Sequence, residues 1–145
     1  MPRKSTSLAP PDHEPAVCTN VLLSFRDAVE IIEGKWKSLI LLGLGFSGTM
    51  RFGELRRVHE GIPAKTLSKE LKELELNGLV ERTVLDTTPV TVQYAITTHG
   101  RTLEKVLLEL REWGITHRAF IRTGKVPKKA VARAAKSAKK AQSCT

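Results

Sequence analysis

With 145 residues, 41% hydrophobic and 27% charged, the chain holds apolar material for one compact domain and too little length for two of usual size. The formal charge of +9 points to a polyanionic partner, but eight Lys and Arg from Arg122 onward, with no Asp or Glu among them, leave only +1 for residues 1–121. Basicity alone therefore does not establish that the globular part binds nucleic acid, and the two cysteines, Cys18 and Cys144, are too far apart in the chain for a disulfide framework or a cysteine-built zinc site.

Cysteine usage fits a reducing compartment. No apolar run nears the roughly 20 residues of a membrane span. Met1 to Pro15 is polar and proline-rich, with Arg3 and Lys4 but no apolar h-region, so no export and no membrane partner is expected, and a cytoplasmic location follows. Residues 1–16 read as a disordered arm and 123–145 as a disordered, basic, Lys/Ala-rich tail, with one domain over 17–122 between them.

Leu22, Leu23, Phe25, Val29, Ile31 and Ile32 lie in a segment of helical period that Gly34 can close. Trp36, Leu39, Ile40, Leu42 and Leu44 predict a second helix, apolar nearly all round and hence buried, ending in the Gly45–Gly48 region. Both read as core helices. Phe52, Leu55 and Val58 recur every three residues and mark a short third helix with Arg51, Arg56 and Arg57 on its other faces. Glu60-Gly61-Ile62-Pro63 then forms a tight connection, Pro63 suiting the first turn of a new helix.

The fourth helix, from about Pro63 to Asn77, carries the most information. Leu67, Leu71 and Leu74 form one stripe, and Lys65, Lys69 and Lys72 repeat that spacing two residues earlier. Two residues at about 100° each place the lysines opposite the leucines. Asn77-Gly78 ends the helix. Leu79 to Leu85 and Val90 to Ile96 predict a β-hairpin turning through Asp86-Thr87-Thr88-Pro89. A last long helix starts near Thr97 or Thr98, with Leu103, Val106, Leu107, Leu110, Trp113 and Phe120 in register. The other elements are too small to cover that stripe, which calls for a second copy of the chain.

Helix, glycine turn, helix and hairpin is the order that lays one helix in the major groove of double-stranded DNA. The groove-facing candidates are Ala64, Lys65, Ser68, Lys69 and Lys72: lysine reaches phosphates or guanine, serine reaches base or backbone, and alanine permits close approach. Against this stands an ordinary solvated face balanced by Glu70, Glu73 and Glu75.

Gly34-Lys35-Trp36, Ile40-Leu41, Arg51-Phe52-Gly53-Glu54-Leu55, Gly61-Ile62, Gly78-Leu79-Val80-Glu81-Arg82, Pro89 with Val92 and Tyr94, Thr97, Gly100 and Trp113-Gly114 stand in order from Cys18 to about Phe120. In these residues the chain resembles the HxlR family of winged helix-turn-helix transcriptional regulators. The resemblance implies an α+β, mostly α fold with N- and C-terminal dimerisation helices, a homodimer, a recognition helix from Pro63 and a hairpin that serves as wing. It makes the expected function sequence-specific DNA binding, with an architectural, nucleoid-associated protein of little sequence preference as the rival.

Arg51 matches a family position at the start of its motif; a phosphate contact from the first helix of the pair is its functional reading, and a structural ion pair with a carboxylate such as Glu54 or Glu81 is the competing role. Lys35 reads as structural. Pro63 replaces a small polar residue and removes a side-chain cap. Thr91 stands where the wing often carries Arg or Lys, which leaves Arg82 as the wing's main cation. The basic tail is a further departure, and it either adds phosphate contacts or only solubilises.

Cys18 sits where the family commonly has a cysteine that in some members senses electrophiles or oxidants, so a small-molecule or oxidant effector is expected if Cys18 is reactive and none if it is a buried thiol. His13, His59, His99 and His117 share no ligand spacing, and no phosphate loop, nucleophile elbow or carboxylate pair occurs. No metal, cofactor or enzymatic activity is expected.

Overall fold

A computed structural model describes residues 15–142, and of residues 15–19, 134 and 137–142 the backbone alone. Along the chain run α1 (Pro15–Ile32), α2 (Lys37–Ser47), β1 (Met50–Arg51), α3 (Phe52–Val58), α4 (Ala64–Leu76), β2 (Val80–Leu85), β3 (Thr91–Ile96), α5 (Thr98–Thr123) and α6 (Lys128–Gln142). The expected arm lies almost wholly in residues 1–14, outside the described residues, as does Cys144.

The leucine stripe of α4 does what its spacing dictates. Leu67, Leu71 and Leu74 are fully buried against Ile40, Leu41 and Leu44 of α2 and Leu55 of α3. Each such side chain withdrawn from water contributes about 1.5–3 kcal/mol before entropy is counted. Gly61, at φ +88°, makes the turn between α3 and α4, a backbone conformation closed to most side chains. Pro63 stands just outside α4 as its cap rather than within its first turn, and it makes no side-chain capping bond.

The sheet has three antiparallel strands in the order β1-β3-β2, not the two of a plain hairpin. Met50 pairs with Tyr94 and Arg51 with Gln93. Two residues are too few for any alternation to show, so this strand leaves no trace in the sequence pattern. In the hairpin proper, Val80 pairs with Ile96 and Arg82 with Tyr94.

Thr97 joins hairpin to long helix. Its hydroxyl donates to the Gly78 carbonyl at 2.6 Å and accepts the Gly100 N–H at 2.9 Å, and its own N–H donates to the Leu79 carbonyl at 3.0 Å. The contact leaves no room for a side chain at Gly100, where a Cβ would lie 2.3 Å from the Leu79 carbonyl oxygen.

Three expectations need correction. α1 is not a core helix: Val21, Leu22, Phe25 and Val29 are exposed in the single chain, and among its described side chains Ile31 is the one that packs on the core. Among the described residues nothing covers its apolar face. Nor is α2 buried all round, since Leu39 and Phe46 reach the surface beside the buried Ile40, Leu41 and Leu44. The tail, expected to be disordered, is helical over Lys128–Gln142. Alanine and lysine are strong helix formers, Pro127 starts the helix, and Arg133 pairs with Glu109 and Glu112 of α5.

Candidate nucleic-acid interface

With its leucines inward, α4 turns Ala64, Lys65, Ser68, Lys69 and Lys72 to solvent as one continuous face. Among the described residues no element covers them. Whether the neighbouring acids neutralise this face decides between a groove-reading helix and an ordinary solvated one. Glu70 and Glu73 reach toward α2, where Lys37 Nζ lies 3.8 Å from Glu70 and 2.7 Å from one oxygen of Glu73. The carboxylate of Glu73 is held below its ordinary range, chiefly by that hydrogen bond, and the Lys37 ammonium is raised by the same contact. Lys69 is the only one of the three lysines within ion-pair reach of an acid among the described residues, 3.8 Å from the other oxygen of Glu73. Lys65 and Lys72 have no such partner there.

Arg51 is likewise unpaired with Glu54 or Glu81. The Glu54 carboxylate accepts the backbone N–H of Arg51 at 2.7 Å instead, closing the start of α3 and leaving the guanidinium exposed. Arg51 and Arg57 line an open cleft of about 430 Å³ between α3 and β3, with Val90 and Thr91 on its far side. Arg57, placed by its spacing on an outer face of α3, was not among the DNA-binding candidates; the hairpin's position is what brings it opposite the wing.

The wing itself offers less. Arg82 is exposed on β2, whereas Thr91 is half-buried and its hydroxyl is engaged with Thr87 at 2.9 Å and with the Pro89 carbonyl at 3.3 Å. Thr91 thus shapes the hairpin turn more than it presents a donor. The thiol of Cys18 lies outside the described side chains, though its backbone belongs to α1.

Lys37 was also missed. It is the one charged residue of an otherwise apolar helix, and a lone charge in that setting demands a partner.

Residues 31–120 match the model of the HxlR-like helix-turn-helix family. The HTH-type transcriptional regulator YdzF of Bacillus subtilis (strain 168) is 39% identical over 100 residues, which cover 69% of this chain and 92% of that protein. Among solved structures, the reduced form of the redox regulator HypR superposes with a TM-score of 0.65 at 35% identity, covering 69% of this chain and 98% of that one. The reduced form of the transcriptional regulator YodB from B. subtilis gives 0.56 at 38% identity, covering 62% and 87%.

Proposed function

The chain belongs to the HxlR-like helix-turn-helix family of DNA-binding transcriptional regulators, and on that premise we propose that it acts as a homodimer, with α4 of each protomer in successive major grooves about 34 Å apart. The observation that carries this reading is the two-sided character of α4: Leu67, Leu71 and Leu74 locked inward, and Ala64, Lys65, Ser68, Lys69 and Lys72 open outward. Small and cationic side chains on one exposed helical face suit both the phosphates and the base edges of a duplex. Arg51 and Arg57 at the α3 cleft and Arg82 on the wing supply flanking phosphate contacts.

The dimer in this reading forms through α1 and α5. Phe25 is 68% and Trp113 61% exposed in one chain, beside Leu22, Val106 and Leu110. An apolar surface of that extent on two helices suits burial against its own copy. The protein works in the cytoplasm, associated with the nucleoid, without cofactor, metal or catalytic step, and α6 adds phosphate contacts.

Cys18 is the effector-sensing candidate, because HypR, named a redox regulator, shares the fold and 35% of the sequence. Diamide treatment should change DNA affinity in the native chain and leave Cys18→Ser unaffected; equal responses in both would remove Cys18 from this role.

Operator selection from a random duplex pool tests the main reading. The selected site should outcompete random duplex by a factor of about 10³ or more, and Lys65→Ala and Lys69→Ala should each weaken it. A chain that binds random duplex equally well is the architectural alternative.

A further inference from the structure

A cation at the first residue of a helix opposes the helix dipole, and Lys37 is such a cation, placed on a helix with no other charge and with its side chain only 14% exposed. Its ammonium is held by two carboxylates of α4, Glu73 at 2.7 Å and Glu70 at 3.8 Å. The Glu73 carboxylate is divided: one oxygen takes the Lys37 hydrogen bond, and the other lies 3.8 Å from Lys69, whose side chain is 72% exposed on the outward face.

We propose that Lys37 is a positioning residue for DNA binding, one that occupies Glu73 from the α2 side and so keeps Lys69 available to a DNA phosphate. The inference rests on the reading of α4 as the recognition helix. Its physical basis is competition for one carboxylate. At 2.7 Å, with the Lys37 side chain half-buried and Glu73 about one-third exposed, Lys37 makes a charge-assisted hydrogen bond. Lys69 feels only an exposed, screened attraction across a longer gap, which a phosphate can displace. Without Lys37, Glu73 keeps its full charge and has Lys69, one helical turn away, as its remaining partner. A lysine already neutralised by its own helix releases fewer DNA counterions on binding, so the loss appears in the salt dependence of affinity.

The test measures affinity for a duplex selected from a random pool by the full-length chain, across a range of salt concentrations. Lys69→Ala should reduce the slope of log K against log salt by about 0.9 per protomer, the value of one phosphate contact. Lys37→Met, which retains the aliphatic stem, should reduce the slope comparably although Lys37 is half-buried against α4 and lies off the outward face. Adding Glu73→Gln to Lys37→Met should restore the slope, and Lys37→Arg should preserve it. A purely structural Lys37 would alter melting temperature and leave the slope of the folded protein unchanged; that result, or a double variant that does not recover, overturns the proposal.

Should Lys37→Met fail to fold, Glu73→Gln alone decides, since it frees Lys69 and should hold or steepen the slope. A shallower slope there refutes the idea. If Lys69→Ala changes neither affinity nor slope, the assignment of α4 fails and the role of Lys37 falls with it. That outcome is distinct from an active Lys69 beside an inert Lys37.

Discussion

The imidazole of His59 fills the space that a side chain on Gly43 would need: a Cβ built there would stand 2.8 Å from Nε2. His59 ends α3, and the contact seats the first helix of the DNA-binding pair on α2. The ring is buried, and its Nε2 has no hydrogen-bond partner among the described residues. Burial holds its pKa below the ordinary 6.5. Above that value the ring is neutral in both folded and unfolded chains, and pH has no effect through it. Below it the unfolded chain takes up a proton that the folded chain resists, so stability falls as pH falls. Denaturant midpoints should be level between about pH 8 and 7 and decline from about 6.5 downward, and His59→Leu should flatten that decline. An unchanged pH profile in the variant would clear His59 of this role.

Leu71→Ala should cost about 2–5 kcal/mol, because the side chain is fully buried where α4 meets α2 and the rigid surroundings cannot close the cavity. Out of a usual total of about 5–15 kcal/mol, that loss compromises the folded motif. Lys65→Ala, on the opposite face, should weaken DNA binding with little change in melting temperature. Thermal melts beside binding curves separate the two effects.

Gly100→Ala should destabilise by about 1–3 kcal/mol or more, since the added methyl meets the Leu79 backbone oxygen at 2.3 Å rather than a side chain able to rotate aside. Gly53→Ala, where nothing lies within 4 Å of the new Cβ, is the control and should be close to neutral. Chemical denaturation of the two variants checks the contrast.

Phe25→Asp and Leu110→Asp each place a charge on an apolar face left exposed among the described residues, where the proposed dimer would close. Either should convert a dimer to a monomer in sedimentation measurements and sharply lower operator affinity, because one protomer then holds only one half-site. Dimeric mass in both variants would show that α1 and α5 are not the interface.

Removal of residues 125–145 should reduce the salt slope of DNA binding by about 0.9 for each phosphate that α6 contacts, and retain preference for the selected site. Arg133 is the exception among the basic residues described in α6. Its guanidinium is engaged by Glu109 at 2.5 Å and Glu112 at 3.8 Å, so Arg133→Ala should lower the slope less than Lys129→Ala.

Much of this architecture is written in short-range pattern. The spacing of Leu67, Leu71 and Leu74 gives both the existence of α4 and its inward face, and the Thr97-Thr98 pair gives the start of α5, with the structure choosing Thr97 as the cap, because helix period and capping chemistry are local. The strand at Met50–Arg51 is not legible, since two residues have no period and acquire meaning only from Tyr94 and Gln93 across the sheet. The same limit applies at the candidate interface. That Lys65 and Lys69 point outward follows from counting residues, whereas the commitment of Glu70 and Glu73 to Lys37 depends on two helices meeting in space. α1 shows a third case: apolar period reveals that a face seeks a partner but not whether that partner is in the same chain. For α6 composition misled, because a Lys- and Ala-rich stretch without large apolar residues suits an unstructured end and a helix equally well.

The bonds gathered at Thr97 make the end of α4, the root of the wing and the first turn of α5 a single mechanical piece. In the dimer proposed above, a tilt of α5 against its copy is passed through these bonds to the hairpin and to the end of α4. On that proposal, a modification or small molecule that shifts how the two copies lean on each other changes the span between their α4 helices, and so the fit to a fixed pair of half-sites.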